Sequence, residues 1–470
     1  MAFRSTRSLI ENLLPPPAAR GLLAAIDAFA PFLASGGGTS TRRMAASAFL
    51  VRVLSAALAY VSQMLLARWM GGFEYGVFVV LWTLVITLGV VFAFGLEQSV
   101  ITLLRKYAHE GDHAAARGLL VASRLFAFAL ASLIAGAGCA VLWLRPDLVT
   151  GYYAVPVFVA AVCLPIYTVA EIQDGIAVAH GWPDLALMPT FLARPALILL
   201  LVGGAFFADL PTTAVTACWA AVAAAWSVTL AQTLLLRRRL ATILPRVAPR
   251  WDVRLWVGLS APMFLVDAFL VLLNSVDILM VGRFAEPDRV AIYFATVKTL
   301  ALVHFVHYAA RVASAERFAT AWHAGDRAGL VTFVARVVKW TFWASLAMSI
   351  ALLIVGRPLL WLFGPDFTEG YPILFVLIVG ALARASVGPA ETLLTMAGQQ
   401  SASALVYGMT FAVSLLLNAI LIPIYGIWGA AWATMAAMVF ESVVLASVVR
   451  RRLGLDVFVG TSTEKASAKA

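Results

Sequence analysis

Charge is scarce in this chain. Asp, Glu, Lys and Arg make up 12% of its 470 residues, about half the share of a soluble globular domain. That is too little to coat a water-facing surface. Hydrophobic residues reach 62% and the mean hydropathy is +0.93, more apolar matter than one soluble core holds. Lipid must solvate much of the surface. Cysteine is equally sparse. Cys139, Cys163 and Cys218 lie far apart inside apolar runs, a spacing that suits neither a disulfide framework nor a metal site and reads as small buried hydrophobes. No cofactor is implied. Also missing are a Gly-rich nucleotide loop, a phosphate-binding lysine motif and any loop long enough to fold as a catalytic domain, which argues against ATP-driven export and against an enzyme. The net charge of +10 forms no basic stripe with interleaved aromatics, so nucleic acid is not an expected partner.

The first 17 residues hold Arg4, Arg7 and Pro15-Pro16-Pro17 without an apolar core, unlike a signal peptide. The stretch from Ala18 to Ala34 carries Arg20, Asp27 and Pro31, which suits an interfacial helix or an arm better than a span. Residues 1–43 are therefore read as a cytoplasmic arm ending in a Gly-Ser-Thr linker.

Apolar runs of about 20 residues, the length that crosses a bilayer as a helix, recur twelve times. They fall near 44–66, 77–103, 118–143, 152–171, 185–207, 212–235, 255–282, 290–312, 330–355, 371–390, 402–422 and 427–449. The expected fold is thus an all-α membrane protein. One set of loops holds Arg42, Arg43, Arg105, Lys106, Arg117, Arg237, Arg238, Arg239, Arg246, Arg250, Arg254, Arg317, Arg327, Arg450, Arg451 and Arg452. The other set holds only Arg68, Arg145, Arg283, Arg289 and Arg357. The positive-inside rule then places both termini in the cytoplasm.

The chain also repeats. Leu66-Ala67-Arg68-Trp69-Met70-Gly71-Gly72-Phe73-Glu74-Tyr75-Gly76 is echoed by Met280-Val281-Gly282-Arg283-Phe284-Ala285-Glu286-Pro287 and the residues after it. Arg105-Lys106-Tyr107-Ala108-His109-Glu110-Gly111-Asp112 is echoed by the run from Glu316 to Asp326. The offset is about 215 residues. Two six-helix lobes in the same orientation follow, 44–235 and 255–449, joined by a basic cytoplasmic linker at 236–254 and followed by a tail at 450–470. Lobes related this way place a substrate path between them.

Ionisable residues at membrane depth are costly and therefore candidates for function. Arg52, Arg194, Lys298 and Asp267 are the expected cavity residues, and Asp277, His304 and His307 the candidates for ion coupling. Arg52 and Asp267 occupy equivalent places in the two lobes with opposite charge. Arginine forks suit phosphate oxygens, and cations lead among the first-lobe candidates. A structural Arg52–Asp267 pair is the alternative. Asp277 lies near the end of span seven, where capping or pairing with Arg283 stands as an equal alternative. Arg124 reads as a side chain snorkelling to the interface. His304, His307 and Arg311 share one face of span eight, more a polar lining than a proton relay; with no third and fourth ligand they make no metal site. Glu391 and Glu441 either bridge to arginines such as Arg384 or line the second-lobe cavity.

Four segments carry a family resemblance. Asn274-Ser275-Val276-Asp277-Ile278-Leu279-Met280-Val281-Gly282 with Val290-Ala291-Ile292-Tyr293 is similar to spans seven and eight of polysaccharide-biosynthesis flippases. So are Ala67 to Phe78 with Gly95-Leu96-Glu97, the loop Phe363-Gly364-Pro365-Asp366-Phe367, and the turn from Leu417 to Ala431. The resemblance runs over roughly 44–450. It implies the multidrug/oligosaccharidyl-lipid/polysaccharide exporter superfamily and its multidrug-exporter-like fold. It further implies flipping of polyprenyl-diphosphate-linked oligosaccharide from cytoplasmic to periplasmic leaflet of a bacterial inner membrane, for O-antigen, capsule or exopolysaccharide. Lipid-linked oligosaccharide, membrane lipids, a polysaccharide polymerase and glycosyltransferases are the implied partners. A cation-coupled drug antiporter, which wants an acidic cavity, and a lipid II flippase, which usually has two further spans, are the alternatives.

Overall fold

Long uninterrupted apolar runs leave the backbone only one way to satisfy its polar groups in lipid, which is the helix. The computed structural model describes residues 39–245 and 247–460, with side chains from Ser55 onward. Its elements are helical throughout these residues. Helix α1, Thr39–Phe92, is broken at Gly71, whose backbone is extended with φ +79°. It starts within the segment read as a linker, so Thr39-Ser40-Thr41 belong to the helix. The rest of the arm lies outside the described residues, as does the tail beyond 460.

The first lobe continues with α2 (Leu96–Glu110), α3 (His113–Leu144), α4 (Gly151–Ala161), α5 (Cys163–Ala179), α6 (Pro183–Met188), α7 (Arg194–Phe207) and α8 (Ala214–Ile243). The second comprises α9 (Val253–Leu273), α10 (Val276–Phe284), α11 (Pro287–His323), α12 (Arg327–Trp361), α13 (Tyr371–Ser386), α14 (Ala390–Met396), α15 (Gln400–Tyr425) and α16 (Ile427–Leu453). Among the described residues, ten helices are long and apolar enough to cross a membrane, or up to eleven when the α4–α5 pair, bent by 45°, counts as one span. The remaining expected span, 44–66, lies only partly among the described side chains.

Four spans read as continuous are broken. Gly95, in the left-handed region at φ +66°, interrupts span two before α2. Val162 marks the bend in span four, Asn274-Ser275 divides α9 from α10, and Val387-Gly388-Pro389 divides α13 from α14. Apolar composition does not register such breaks, because each half remains apolar. The expected linker is also shorter: α8 runs to Ile243, so Arg237, Arg238 and Arg239 end a helix rather than float in a loop. All three cysteines are free, with Cys163 and Cys218 buried.

The lobes touch along two seams. In one, α1 packs on α11. A Cβ on Gly76 would overlap the Pro287 carbonyl, and one on Gly282 would press Val80 at 2.6 Å. Arg68 donates from Nε to the Leu362 carbonyl at 2.6 Å and from Nη2 to that of Trp361 at 3.1 Å. In the other seam, α2 packs on α9. Gly95 is small enough to sit where a Cβ would lie 2.5 Å from the Phe264 nitrogen. Ser260 Oγ donates to Ser99 Oγ at 2.8 Å, and Trp256 Nε1 donates to the Tyr107 hydroxyl at 3.0 Å.

Candidate transport cleft

Helix α11 changes character along its length. From Val290 to Thr296 every residue is buried, whereas Lys298, Ala301, Leu302, Arg311 and Val312 are exposed. On α1, Ala56, Ala57, Ala59 and Val61 are likewise exposed, while Leu66 and Ala67 are buried. The boundary is a bond across the seam, Tyr60 Oη to Thr299 Oγ1 at 3.2 Å. On its closed side the seam is filled by rings: Tyr60 meets Phe363 edge to face at 5.4 Å, and Tyr75 meets Phe294 at 6.2 Å. The exposed stretches of α1 and α11 thus lie beyond this bond, away from the rings, and the exposed Lys298 directly precedes Thr299.

Lys298 Nζ lies 4.8 Å from the centre of the Phe294 ring, a cation–π contact. Its electrostatic neighbour is Asp277. Asp277 is buried at the start of α10, where it accepts from its neighbour's backbone, Ile278 N, at 2.8 Å and from the Tyr293 hydroxyl at 2.9 Å. Tyr293 Oη is also 3.1 Å from Thr434 Oγ1. The break at Asn274-Ser275 creates this helix start, so the carboxylate meets free backbone N–H groups. Its recorded partners are Tyr293 and the α10 backbone rather than Arg283.

Arg194 is placed elsewhere. It is 3% exposed and lies over the Tyr167 ring at 4.6 Å, within electrostatic reach of Glu171 and Asp174. Asp174 accepts from Thr190 Oγ1 at 2.6 Å and Gln232 Nε2 at 2.7 Å. Glu97 on α2 and Asp267 on α9 belong to the same electrostatic neighbourhood. Asp267 is therefore grouped with the acids of α2 and α5. The Arg52 side chain lies outside the described residues, so an Arg52–Asp267 pair does too. The expectation that cations lead in the first lobe is corrected for the described residues: Arg194 stands beside Glu171 and Asp174, and Glu97 neighbours those two acids. The apolar window for span four ends at residue 171, whereas α5 runs on to Ala179 past its bend. Glu171 and Asp174, an i, i+3 pair, consequently fell at a presumed span edge.

The second lobe holds an ion network. Arg384 reaches Glu391 at 3.6 Å and Glu441 at 3.2 Å, and Arg311 reaches Glu391 at 2.8 Å. The Tyr407 hydroxyl donates to Glu391. His307 is buried beside Arg384, Glu391 and Arg311, and His304 is its neighbour. The shared face of His304, His307 and Arg311 thus turns toward α13 and α14, and the Arg384 bridge reaches both Glu391 and Glu441. Among the described residues no group of His, Cys, Asp and Glu forms a metal site.

The family of polysaccharide biosynthesis proteins matches residues 42–313. No curated protein matches the chain. Among solved structures, an inward-facing multidrug resistance MATE family transporter aligns with a TM-score of 0.68 at 13% identity, covering 86% of this chain and 98% of that one. The lipid II flippase MurJ in an inward closed conformation aligns with 0.68 at 12% identity, covering 86% and 87%. A superfamily transporter from Pyrococcus furiosus, whose binding pocket is described as having reversed polarity, aligns with 0.53 at 14% identity, covering 85% and 95%. These likenesses establish the fold. The chain belongs to the polysaccharide biosynthesis protein family and is a multi-pass membrane protein with the fold that these solved transporters share.

Proposed function

We propose that this protein flips a polyprenyl-diphosphate-linked oligosaccharide from the cytoplasmic to the periplasmic leaflet of a bacterial inner membrane. The observation that carries the reading is Lys298, an exposed cation directly before Thr299 of the Tyr60–Thr299 bond that joins α1 to α11; in this reading the exposed stretches of α1 and α11 beyond that bond line a cleft between the two lobes. A diphosphate must shed water to cross, and a cation at membrane depth replaces part of that hydration. Asp277 neutralises Lys298 when the cleft is empty. Arg52, also a cation by sequence, contributes from the first lobe, and Arg194 and Asp267 contribute through the first-lobe charge cluster. Asp277, His304 and His307 are the proposed ion-coupling groups. Lobes 44–235 and 255–449 rock about the linker, both termini are cytoplasmic, and a polymerase and glycosyltransferases work on either side of the step.

The test replaces Lys298 with Ala and with Arg in cells that depend on this protein. Lys298→Ala is expected to abolish surface polysaccharide at normal membrane abundance, with precursor accumulating, while Lys298→Arg retains part of the activity. Normal polysaccharide in the Ala variant contradicts the proposal. The acids around Arg194 favour a second reading, export of a cationic drug; drug efflux without a glycan phenotype would support it.

A further inference from the structure

Helices α3 and α8 both pack on α5 in the first lobe. They reach each other at two levels. Phe128 meets Trp226 edge to face at 6.4 Å, and nearer the linker Arg117 Nη1 donates to the Pro245 carbonyl at 3.3 Å. Between these levels Arg124 on α3 and Arg237 on α8 are electrostatic neighbours of like charge. Nε and Nη2 of Arg124 are covered by protein and unpartnered. Neither arginine has a hydrogen bond or ion pair among the described residues.

Two neighbouring guanidiniums repel, and Arg124, whose Nε and Nη2 are covered by protein, also loses hydration, while Arg237 remains exposed. Such an arrangement calls for an anion, and the nearby carboxylates are taken. Asp184 is bound by Arg239 at 2.5 Å, and Asp112 by Arg250 at 2.7 Å. The flanks of the groove face lipid: Leu125 is 62% exposed and Leu234 58%, and Val121, Phe126 and Leu235 are exposed beside them. Arg124 lies 11 residues into α3, about 16 Å from its start at 1.5 Å per residue. That depth suits a headgroup reached from the leaflet rather than a solute reached from water.

We propose that the α3–α8 groove binds the phosphate of an anionic phospholipid of the surrounding leaflet, held between Arg124 and Arg237. Guanidiniums match phosphate oxygens in two places at once, and basic pockets between spans are suited to anionic headgroups. The groove involves neither α1 nor α11, so it is separate from the transport cleft.

The test is thermal unfolding of the purified full chain in detergent with added phosphatidylglycerol, phosphatidylcholine or inorganic phosphate. Phosphatidylglycerol is expected to raise the unfolding temperature well above the other two additives. The double variant Arg124→Gln, Arg237→Gln should lose at least half of that rise. Arg237→Glu places a carboxylate within the groove. It should unfold at a higher temperature than the parent without added lipid and respond less to phosphatidylglycerol, and it carries the test alone if the double variant does not fold. An unchanged lipid response in either variant, an equal response to inorganic phosphate, or an Arg237→Glu variant less stable than the parent without lipid overturns the proposal.

Discussion

Arg384 holds two carboxylates that are nearly out of contact with solvent, Glu391 at 4% and Glu441 at 2% exposure. A buried ion network gains little over apolar packing while it is complete, because desolvation offsets the Coulomb attraction. Removing one member is another matter. Arg384→Ala leaves Glu441 without its recorded cation and Glu391 with Arg311 alone, and the expected loss is about 3–5 kcal/mol of unfolding free energy. Thermal unfolding in detergent measures it. Replacing Glu441 with Gln in the same chain should recover part of the loss, since one uncompensated charge is gone; no recovery would mean that Arg384 acts through packing instead. The same residue-level reasoning explains what the sequence could reveal. That Arg384, Glu391 and Glu441 were costly at membrane depth is visible in the sequence, but which acid meets which base depends on helix rotation. Asp277 illustrates the point. Arg283 was the partner its sequence neighbourhood offered, yet the break at Asn274-Ser275 places it at a helix start beside Tyr293.

At the scale of the element, helix ends are set by a few polar residues. Asp112 caps α3, accepting from Ala115 N at 3.0 Å, and it also meets Arg250 at 2.7 Å. The backbone bond first, and Arg250 after it, hold this loop carboxyl below its ordinary value. A depressed carboxyl contributes stability above its unfolded pKa and loses it as pH falls through the folded value. Asp112→Asn keeps the cap but drops the charge. The parent should therefore outlast this variant at pH 7, with the gap closing as pH falls below about 3.9. Unfolding midpoints across pH 3–7 check it; a gap that does not change with pH rules out the charge contribution. Elements were legible in the sequence to the extent that hydrophobicity defines them. The positions of α3, α12, α15 and α16 follow from apolar length, and the turn from Leu417 to Ala431 reappears as the reversal at Gly426. The bends at Val162 and Asn274-Ser275 were not legible, because no Gly or Pro stands at them, whereas Gly388-Pro389 marks its break locally and was missed because the apolar window ran through it.

On the scale of the whole molecule, the internal repeat predicts two lobes with a path between them; on the proposed division, the contacts of α1 with α11 and of α2 with α9 join the two. Beyond the Tyr60–Thr299 bond lies the proposed cleft, and at the other end α1 and α11 are in close contact, Gly76 against Pro287 and Gly72 against Asp288. Alternating access requires that end to part once per cycle. A Cβ on Gly72 would stand 3.9 Å from the Cβ of Asp288, within the usual Cβ–Cβ span of a disulfide of about 3.5–4.5 Å. The most direct measurement is thus the double variant Gly72→Cys, Asp288→Cys, with surface polysaccharide scored before and after reduction. Rocking lobes predict loss of surface polysaccharide when the bridge forms and recovery when it is reduced. Full cross-linking with undiminished surface polysaccharide would contradict transport through the cleft between the lobes.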